Sequence, residues 1–458
     1  MNREDVISRA RALLDRPDGE GFARLMRHAW PADVADAVCD APADRIAALI
    51  ESATPQDRTR LFVALTDPVQ DAVIGVLSPS TKADLVSRLP ADERADLYNR
   101  LPEHTRQRLL PSLSRAERED LLRLAHHPEG TAGAAATSQY TAVGSGTAVA
   151  EALRSIRATA SDKETIYVVF VLDVQGRLRG SVSLRDLILA DEDTRVDALV
   201  GADAVSVRAG DPDERATELI RRHDLLAVPV VDDEDRMVGI VTVDDAMDID
   251  REQDATQLAR YGGTSALGGP DLDLRESPFR RIFGTRVFWL GLLTVFGLVT
   301  SSFVAAQEAI LEEVIVLAAF IAPIIDMGGN TGSQAATLVI RSMALGQMRT
   351  CWQDLWFAVR RELGVALALG ASIAALEVVL TYFVKDGISP GVLATVGLSM
   401  LVCTALGGVI GAALPFLARR IGTDPATLSA PLITSIMDLV GVFVYFGLAY
   451  AFLGHLLA

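Results

Sequence analysis

Three carboxylates lie in stretches of the chain that are otherwise strongly apolar. Asp326, Glu377 and Asp438 each occur within a long run of mostly hydrophobic residues, and about 20 such residues are enough for a helix to cross a bilayer. A charged side chain at that depth costs at least about 2.5 kcal/mol, so such residues usually serve a function. These three positions are therefore the first candidates for chemistry.

The segment around Asp326 combines helix-weakening residues with polar ones, in the sequence IAPIIDMGGNTGSQAATLVIR. Gly328 and Gly329 weaken a helix, and Asn330 follows them with an amide side chain. Broken backbone at membrane depth is tolerated where it is buried or lines water, and its freed carbonyl groups can then bind a cation. The alternative is that these small residues serve close packing between helices.

Asp438 lies in the last apolar run, far from either end of that run. Carboxylate, amide and carbonyl oxygens without cysteine or histidine favour a hard cation, and Mg²⁺ fits best because it keeps several waters and needs few carboxylates. One aspartate per chain makes a weak site, so we expect a two-fold dimer that brings two copies of Asp438 together. The alternatives are a structural hydrogen bond for Asp438 and, for Glu377, a side chain that reaches the membrane interface.

The chain joins two halves of opposite character. Its 458 residues are 50% hydrophobic, yet they carry a net charge of −17. From residue 276 onward there are 11 acidic and 10 basic residues, so nearly all of the negative charge belongs to the first half. This division excludes a purely soluble enzyme, and the lack of a basic face argues against nucleic-acid binding. Three widely spaced cysteines exclude a disulfide scaffold.

The apolar half is expected to cross the membrane five times. The spans are predicted near residues 285–305, 314–340, 362–383, 391–417 and 429–457. Arginines precede the first span and follow the second and fourth, whereas the loop after the first span is acidic. The positive-inside rule then places the N-terminus in the cytoplasm and the C-terminus outside. The charged N-terminal sequence has no signal-peptide pattern, so we expect the acidic half to be cytoplasmic.

A repeat of 12 residues runs through residues 60–125 of the acidic half. Its regularly spaced leucines are Leu65, Leu77, Leu89, Leu101 and Leu113. Most are followed by proline or serine, which are helix-start signals. Each unit is therefore one short helix plus a turn, and stacked units form a superhelix that buries the leucines. Acidic residues on its surface, including Asp92 and Asp96, could bind ions.

Two similar α/β units follow the helical repeat. In each, a helix precedes an apolar strand, a turn, a second strand and another helix start; the first helices are expected near 147–160 and 213–223. This arrangement resembles a pair of CBS domains. Ser183 with Asp186 and Thr242 with Asp245 resemble that family's ribose-contacting motif, which implies that ATP or another adenine nucleotide binds there. Both motifs are equally good helix N-caps.

The order of these parts resembles the MgtE family of magnesium channels, most specifically in PIIDMGGNTGSQAATLVIR and DPATLSAPLITSIMD. The resemblance implies a multidomain fold with an all-α cytosolic superhelical domain, an α/β CBS-pair domain, a linking plug helix and an all-α transmembrane domain of five helices. The corresponding ranges are 1–130 for the helical domain, 131–200 and 201–258 for the CBS domains, 259–282 for the plug and 283–458 for the membrane domain.

The same resemblance implies a function. It is a passive, Mg²⁺-selective pore formed by a homodimer in the plasma membrane lipid bilayer, and neither an enzyme nor a nucleic-acid-binding protein. Asp438 matches the family's pore carboxylate, and Gly328, Gly329 and Asn330 match the conducting segment, with Asp326 beside them. Two alternatives stay open: a coupled carrier of Mg²⁺ or another divalent cation such as Co²⁺ or Mn²⁺, and a sensor that reads adenine nucleotides through the CBS pair.

In the family, cytosolic Mg²⁺ bridges acids of neighbouring domains and closes the pore. The acids expected to take part are Asp92, Asp96, Asp244, Asp245, Asp248, Asp250 and Asp254. Such acidic faces repel each other until Mg²⁺ binds and favours the compact, closed state, although each acid could instead belong to a solvated surface. Gln257 and Leu258 stand where the family usually has acids, so we expect weaker inhibition by Mg²⁺ than in a typical relative.

Overall fold

The computed structural model describes residues 2–201, 205–262, 264, 272, 274, 277–384, 388–423, 425 and 430–456. The chain divides into two compact units, Met1–Arg251 and Glu252–Ala458. Of the predicted plug segment, residues 259–282, the structure describes 259–262, 264, 272, 274 and 277–282; its first residues end one helix, its last residues begin another, and the prediction for the part between them falls mostly outside the described residues.

The first unit begins with ten short helices joined by tight turns. They are α1 (Arg3–Asp15), α2 (Gly19–His28), α3 (Pro31–Val38), α4 (Ala43–Ser52), α5 (Pro55–Val63), α6 (Asp67–Val76), α7 (Pro79–Arg88), α8 (Ala91–Arg100), α9 (Glu103–Leu109) and α10 (Arg115–Leu124). Their starts follow local chemistry: proline occupies the first turn of α7, and Ser114 forms a capping box with Glu117 at α10.

The leucines of the 12-residue repeat are buried in a single continuous core. All five have at most 4% of their surface exposed. The spacing places each of them just after a helix, where it packs against the neighbouring helices. The prediction of a stacked superhelical domain is therefore confirmed, because every repeat covers its apolar residues with the next one.

The rest of the first unit contains two small α/β units of the same topology. The elements of the first are β1 (Thr141–Gly144), α11 (Val149–Thr159), β2 (Val168–Leu172), β3 (Leu178–Ser183) and α12 (Leu184–Leu189). Those of the second are β4 (Val207–Arg208), α13 (Asp213–His223), β5 (Ala227–Val231), β6 (Met237–Thr242) and α14 (Val243–Tyr261). In each sheet the first strand is parallel to the second, and the second forms an antiparallel hairpin with the third.

The segment before the first α/β unit packs against the second sheet. Ala132 and Ala136 are fully buried in the core that contains β5 and β6. Thr137 pairs with Ile240 through both backbone hydrogen bonds. The approach is so close that a Cβ added at Gly239 would lie 2.6 Å from the Thr137 carbonyl oxygen. The start of the predicted range 131–200 therefore belongs spatially to the second CBS unit.

The second unit contains the end of α14 and the apolar helices. These are α15 (Phe279–Ala305), α16 (Glu308–Glu313), α17 (Ile321–Ala344), α18 (Trp352–Val384), α19 (Pro390–Arg420) and α20 (Ala430–Leu453). A 3₁₀ segment, Ile315–Phe320, leads directly into α17. Among the residues that the structure describes, five helical spans in this unit are long and apolar enough to cross a membrane, which agrees with the five that were predicted.

Candidate functional site

The candidate conduction site lies on α17, whose exposed side is polar where the helix crosses the membrane. Asp326, Asn330, Gln334 and Thr337 are all exposed, and their spacing of four, four and three residues puts them on one face of the helix. We call these four residues the polar face of α17. The Asn330 amide donates a hydrogen bond of 3.0 Å to one oxygen, Oδ2, of the Asp326 carboxylate.

The opposite side of α17 is a glycine surface that packs against α19. Gly328 and Gly332 are buried, and a Cβ added at Gly407 or Gly411 would lie well inside 3.0 Å of their respective carbonyl oxygens. Two backbones can approach this closely only where neither residue has a side chain. The packing function that the sequence left open for these small residues is therefore present, and it holds the polar face outward.

Gly329 and Asp438 lie where α17 meets α20. A Cβ at Gly329 would lie 2.8 Å from the Thr434 side chain, so this glycine also serves a close approach. Asp438 follows Thr434 by one helical turn and is half-buried, and the Asp326 carboxylate is its electrostatic neighbour. The structure thus brings together Asp326, Asn330 and Asp438, with Gly328 and Gly329 as the contacts that allow it. Glu377 lies on α18, outside this group.

The end of α14 contacts the polar face directly. The Tyr261 hydroxyl donates a hydrogen bond of 3.1 Å to the Ser333 carbonyl oxygen and also bonds to the Thr337 hydroxyl. The Thr337 hydroxyl itself donates to the same carbonyl oxygen, at 2.7 Å. Tyr261 is the last residue of α14, so the end of that helix is bonded to α17. Sequence reasoning did not single out this tyrosine.

In the first unit, acids of α8 face the second CBS unit and one another. Burial, and then repulsion from the nearby Glu164, raise the pKa of Asp92 to about 6. Burial, and then repulsion from Asp92, raise the pKa of Glu93 to about 8. Burial, and then repulsion from Asp92, raise the pKa of Asp245, at the start of α14, to about 6. We call Asp92, Glu93, Glu164 and Asp245 the α8 acidic cluster.

The acidic cluster is crowded but does not form a finished metal site. Within the part of the chain that the structure describes, no three His, Cys, Asp or Glu side chains converge on a point that could hold a metal ion. Asp92 Oδ1 is buried, and no donor among the described residues reaches it with good geometry. The arrangement therefore leaves acceptor oxygens and negative charge that a cation with its own water shell could satisfy.

The other predicted regulatory acids are spread along exposed surfaces. Asp96, Asp244, Asp248 and Asp254 are exposed and Asp250 is half-buried. Asp248 forms an exposed salt bridge of 3.2 Å with Arg251, and Asp244 is an electrostatic neighbour of Glu164. From the predicted set the structure groups Asp92, Asp96 and Asp245. Asp96 keeps an exposed surface, yet burial of its carboxyl and repulsion from Asp92 raise its pKa to about 7. Glu164 was missed because it lies in a turn whose spatial neighbours come from distant parts of the chain.

The first predicted ribose motif acts as a helix N-cap, and the second forms a side-chain hydrogen bond at a helix start. The Ser183 hydroxyl accepts a hydrogen bond from the Asp186 backbone amide and donates one of 2.6 Å to its carboxylate. Thr242 donates a hydroxyl bond of 2.5 Å to the Asp245 carboxylate. These pairs stand at the ends of β3 and β6, at the equivalent place in each CBS unit.

A carboxylate and an amide on one outward face of a membrane helix are features of a cation transporter with several spans. Sequence comparison agrees, because the profile described as a divalent cation transporter, MgtE, matches residues 321–448. The MgtE intracellular N domain profile matches residues 29–130, and the CBS domain profile matches residues 196–252.

Curated relatives cover most of the chain. The chain is 39% identical over 72% of its length to "Magnesium transporter MgtE" of Thermus thermophilus, and the match covers 72% of that protein. It is 29% identical over its full length to the protein of the same name in Bacillus subtilis, covering 99% of it. A crystal structure of the soluble part of a magnesium transporter covers 55% of this chain and is itself 99% covered, with 28% identity and a TM-score of 0.52. The chain belongs to the MgtE family.

Proposed function

We propose that this protein transports Mg²⁺ as a passive channel whose pore is formed by two copies of the chain in the plasma membrane. Magnesium transport is the activity in the names of its relatives, and a transporter of this family is not an enzyme. The observation that carries the finer proposal is the polar face of α17, which is exposed in the single chain at membrane depth.

Lipid is a poor environment for this face. Asp326 and Asn330 are exposed near the middle of the span Ile315–Ala344, and acids in such positions usually turn toward a protein interior or a water-filled cavity. A second copy related by a two-fold axis would place another polar face opposite the first. The pore would then hold two copies each of Asp326 and Asp438, which is enough negative charge to attract a hydrated divalent ion.

The chemistry of this lining favours Mg²⁺ and a channel mechanism. Its groups are carboxylate and amide oxygens, which suit a hard cation that keeps most of its waters. The membrane potential alone supplies about 2.3 kcal/mol per charge per 100 mV, and so roughly twice that for Mg²⁺. No second ion is needed to drive uptake, which favours a channel over a coupled carrier of Mg²⁺, Co²⁺ or Mn²⁺.

Flux into vesicles under an imposed potential distinguishes channel from carrier. With the full-length protein in vesicles that contain a Mg²⁺ indicator, we expect the initial Mg²⁺ flux to rise steadily with the inside-negative potential. The flux should not change when the Na⁺ and H⁺ gradients are removed at constant potential. A flux that disappears with either gradient would instead support the coupled carrier.

Regulation by cytosolic Mg²⁺ is proposed to act through the α8 acidic cluster. Asp92 and Glu93 belong to the helical domain and Asp245 to the second CBS unit. A cation bound among these acids would therefore favour the state in which the helical domain packs against the second CBS unit. Tyr261 provides a direct contact between the end of α14 and α17, and thus a route from that helix to the pore. That Gln257 and Leu258 weaken the inhibition stays a prediction.

The same cluster predicts a pH dependence. Because the pKa values of its acids are raised, the folded unit binds more protons than the unfolded chain, and stability must fall as the pH increases. The stability that the protonated acids contribute is complete below about pH 4, the ordinary carboxyl range. It is lost as the pH rises through about 6 for Asp92 and about 8 for Glu93. Mg²⁺ should remove this loss because it replaces the protons.

Hydrogen exchange in the full-length protein measures this effect locally. Between about pH 5 and about pH 8 we expect the protection factors of α8 amides to fall about tenfold or more, since one pKa unit corresponds to a factor of ten. Added Mg²⁺ should restore them at the higher pH, and α4, which carries none of these acids, serves as the control. Equal or greater protection of α8 at the higher pH without Mg²⁺ would contradict the proposal.

Adenine nucleotides are proposed as a further ligand of the CBS pair. Ser183 with Asp186 and Thr242 with Asp245 stand at equivalent strand ends, each beside a helix N-terminus that favours phosphate. The hydrogen bonds that these residues already make do not prevent a carboxylate from accepting ribose hydroxyls through its second oxygen.

A further inference from the structure

Tyr445 is a fully buried tyrosine of α20 whose hydroxyl bonds to the segment that leads into α17. Its side chain has 0% exposure, and its hydroxyl donates a hydrogen bond of 2.8 Å to the Leu317 carbonyl oxygen. Leu317, also fully buried, lies in the 3₁₀ segment Ile315–Phe320. A buried tyrosine hydroxyl generally needs a partner, and here the partner is backbone of another element.

One end of this bond belongs to α20 and the other to the segment that leads directly into α17, and these two helices carry the proposed pore residues. Tyr445 follows Asp438 by seven residues, which is about two turns, so both lie on nearly the same side of α20. The 3₁₀ segment ends at Phe320, and α17 begins at Ile321, one and a half turns before Asp326. The helix pair is in direct contact between these points, since a Cβ at Gly441 would lie 3.2 Å from the Ile325 side chain.

We propose that Tyr445 is a positioning residue of the conduction path. Its bond to Leu317 fixes how far α17 can slide or rotate relative to α20, and so fixes the distance between the Asp326 and Asp438 carboxylates. That distance decides how well the site matches hydrated Mg²⁺ compared with a larger divalent ion. This inference rests on the proposed function, because a positioning residue has meaning only if these carboxylates lie on the ion's path.

The surroundings of Tyr445 are suited to transmit such a constraint. Tyr445 lies in one apolar core with Phe320, Ile324 and Phe446, all of them buried. The ring of Phe446 lies 5.4 Å from that of Tyr445, centroid to centroid. Close-packed side chains of this kind leave little freedom for either helix to shift. The hydroxyl is the polar part of the contact, and Tyr445→Phe removes it without removing the ring.

The test compares Tyr445→Phe with Tyr450→Phe, a control on the same helix whose side chain is 41% exposed. In vesicles with a fixed potential, we expect Tyr445→Phe to raise the Mg²⁺ concentration for half-maximal flux and to reduce the Mg²⁺-to-Ca²⁺ flux ratio. Each change should be about three- to tenfold, the effect of one ordinary hydrogen bond on an equilibrium constant. Tyr450→Phe should match the wild type in both.

Several outcomes would overturn the inference. Equal behaviour of the two variants would do so, and so would a Tyr445→Phe protein with a lower maximal flux but unchanged half-saturation and ion ratio, because a purely structural role predicts only that. If Tyr445→Phe does not fold, 3-fluorotyrosine at position 445 keeps the ring and makes the hydroxyl a stronger donor. It should lower the half-saturating concentration, and an unchanged value would contradict the proposal.

Failure of this inference can be told from failure of the proposed function. Wild-type protein that shows no potential-driven Mg²⁺ flux in the same vesicles would remove the channel itself. Wild-type flux that persists while both tyrosine variants behave alike would leave the channel in place and remove only the positioning role of Tyr445.

Discussion

Replacing Asp438 by asparagine is expected to reduce Mg²⁺ flux by at least about 100-fold. A unit charge about 4 Å from another contributes about 4 kcal/mol at an effective dielectric constant of about 20, and an energy of that size changes a rate or occupancy by more than two orders of magnitude. Asparagine has nearly the same shape as aspartate, so the α17–α20 contact should survive. The measurement is the initial flux in vesicles at a fixed inside-negative potential.

The same substitution should not destabilise the fold. Asp438 is half-buried beside Asp326, so removing its charge relieves both repulsion and the cost of placing a carboxylate in the membrane. We expect the unfolding temperature in detergent to stay equal or to rise while the flux is lost, as is typical where a functional residue is kept against stability.

Glu377→Gln is the matched control for Asp438→Asn. Glu377 is also a half-buried acid in a membrane helix, but it lies on α18, away from the polar face of α17. Its removal should leave the flux within about twofold of the wild type, the change expected of an interfacial charge. Undiminished Mg²⁺ flux in Asp438→Asn, or an equal loss in Glu377→Gln, would show that Asp438 has no special place in conduction.

Adding one methyl group at Gly407 or Gly411 is expected to disrupt the membrane unit. The new Cβ would overlap the Gly328 or Gly332 carbonyl oxygen, and these backbone atoms can move only if α17 itself moves. Overpacking of a close-packed contact costs about 1–3 kcal/mol and occasionally more, and we expect the upper end here because the obstacle is backbone. The checks are the unfolding temperature in detergent and the yield of folded protein.

Gly447→Ala provides the control for these two variants. Gly447 lies on α20, and a Cβ there would meet nothing within 4 Å, so this substitution should be neutral or slightly stabilising, since alanine favours a helix by about 1 kcal/mol over glycine. If Gly407→Ala folds fully, its displaced α17 should still change the Mg²⁺ flux. A stable and fully active Gly411→Ala protein would contradict the close approach of α17 and α19.

Much of the architecture could be predicted because it depends on local patterns. The 12-residue leucine spacing, the helix-start residues and the alternation of strands with helices each reflect contacts between near neighbours in the chain. The membrane spans were found for the same reason, although α15 and α18 begin at Phe279 and Trp352, before the predicted positions 285 and 362. Hydropathy detects the apolar part of a helix, whereas the helix continues into the interface.

The division of roles within PIIDMGGNTGSQ could not be read from the sequence. The same segment supplies polar groups and small residues, and the sequence alone allowed both ion binding and helix packing. In the fold, Asp326 and Asn330 face outward while Gly328, Gly329 and Gly332 face α19 and α20. Which face of a helix is covered depends on its neighbours, and here these are Gly407, Gly411 and Thr434, which lie far along the chain.

The sequence by itself determined that this is a five-span membrane protein with an acidic helical and CBS region, and that Asp326, Asn330 and Asp438 are unusual for their surroundings. Only the tertiary structure decided that α8 meets the second CBS unit through Asp92, Glu93 and Asp245, and that Tyr261 and Tyr445 bond to α17 and to its leading segment. The physical reason is that periodicity records each element's own exposure, whereas a pairwise contact depends on the register between elements distant in the chain.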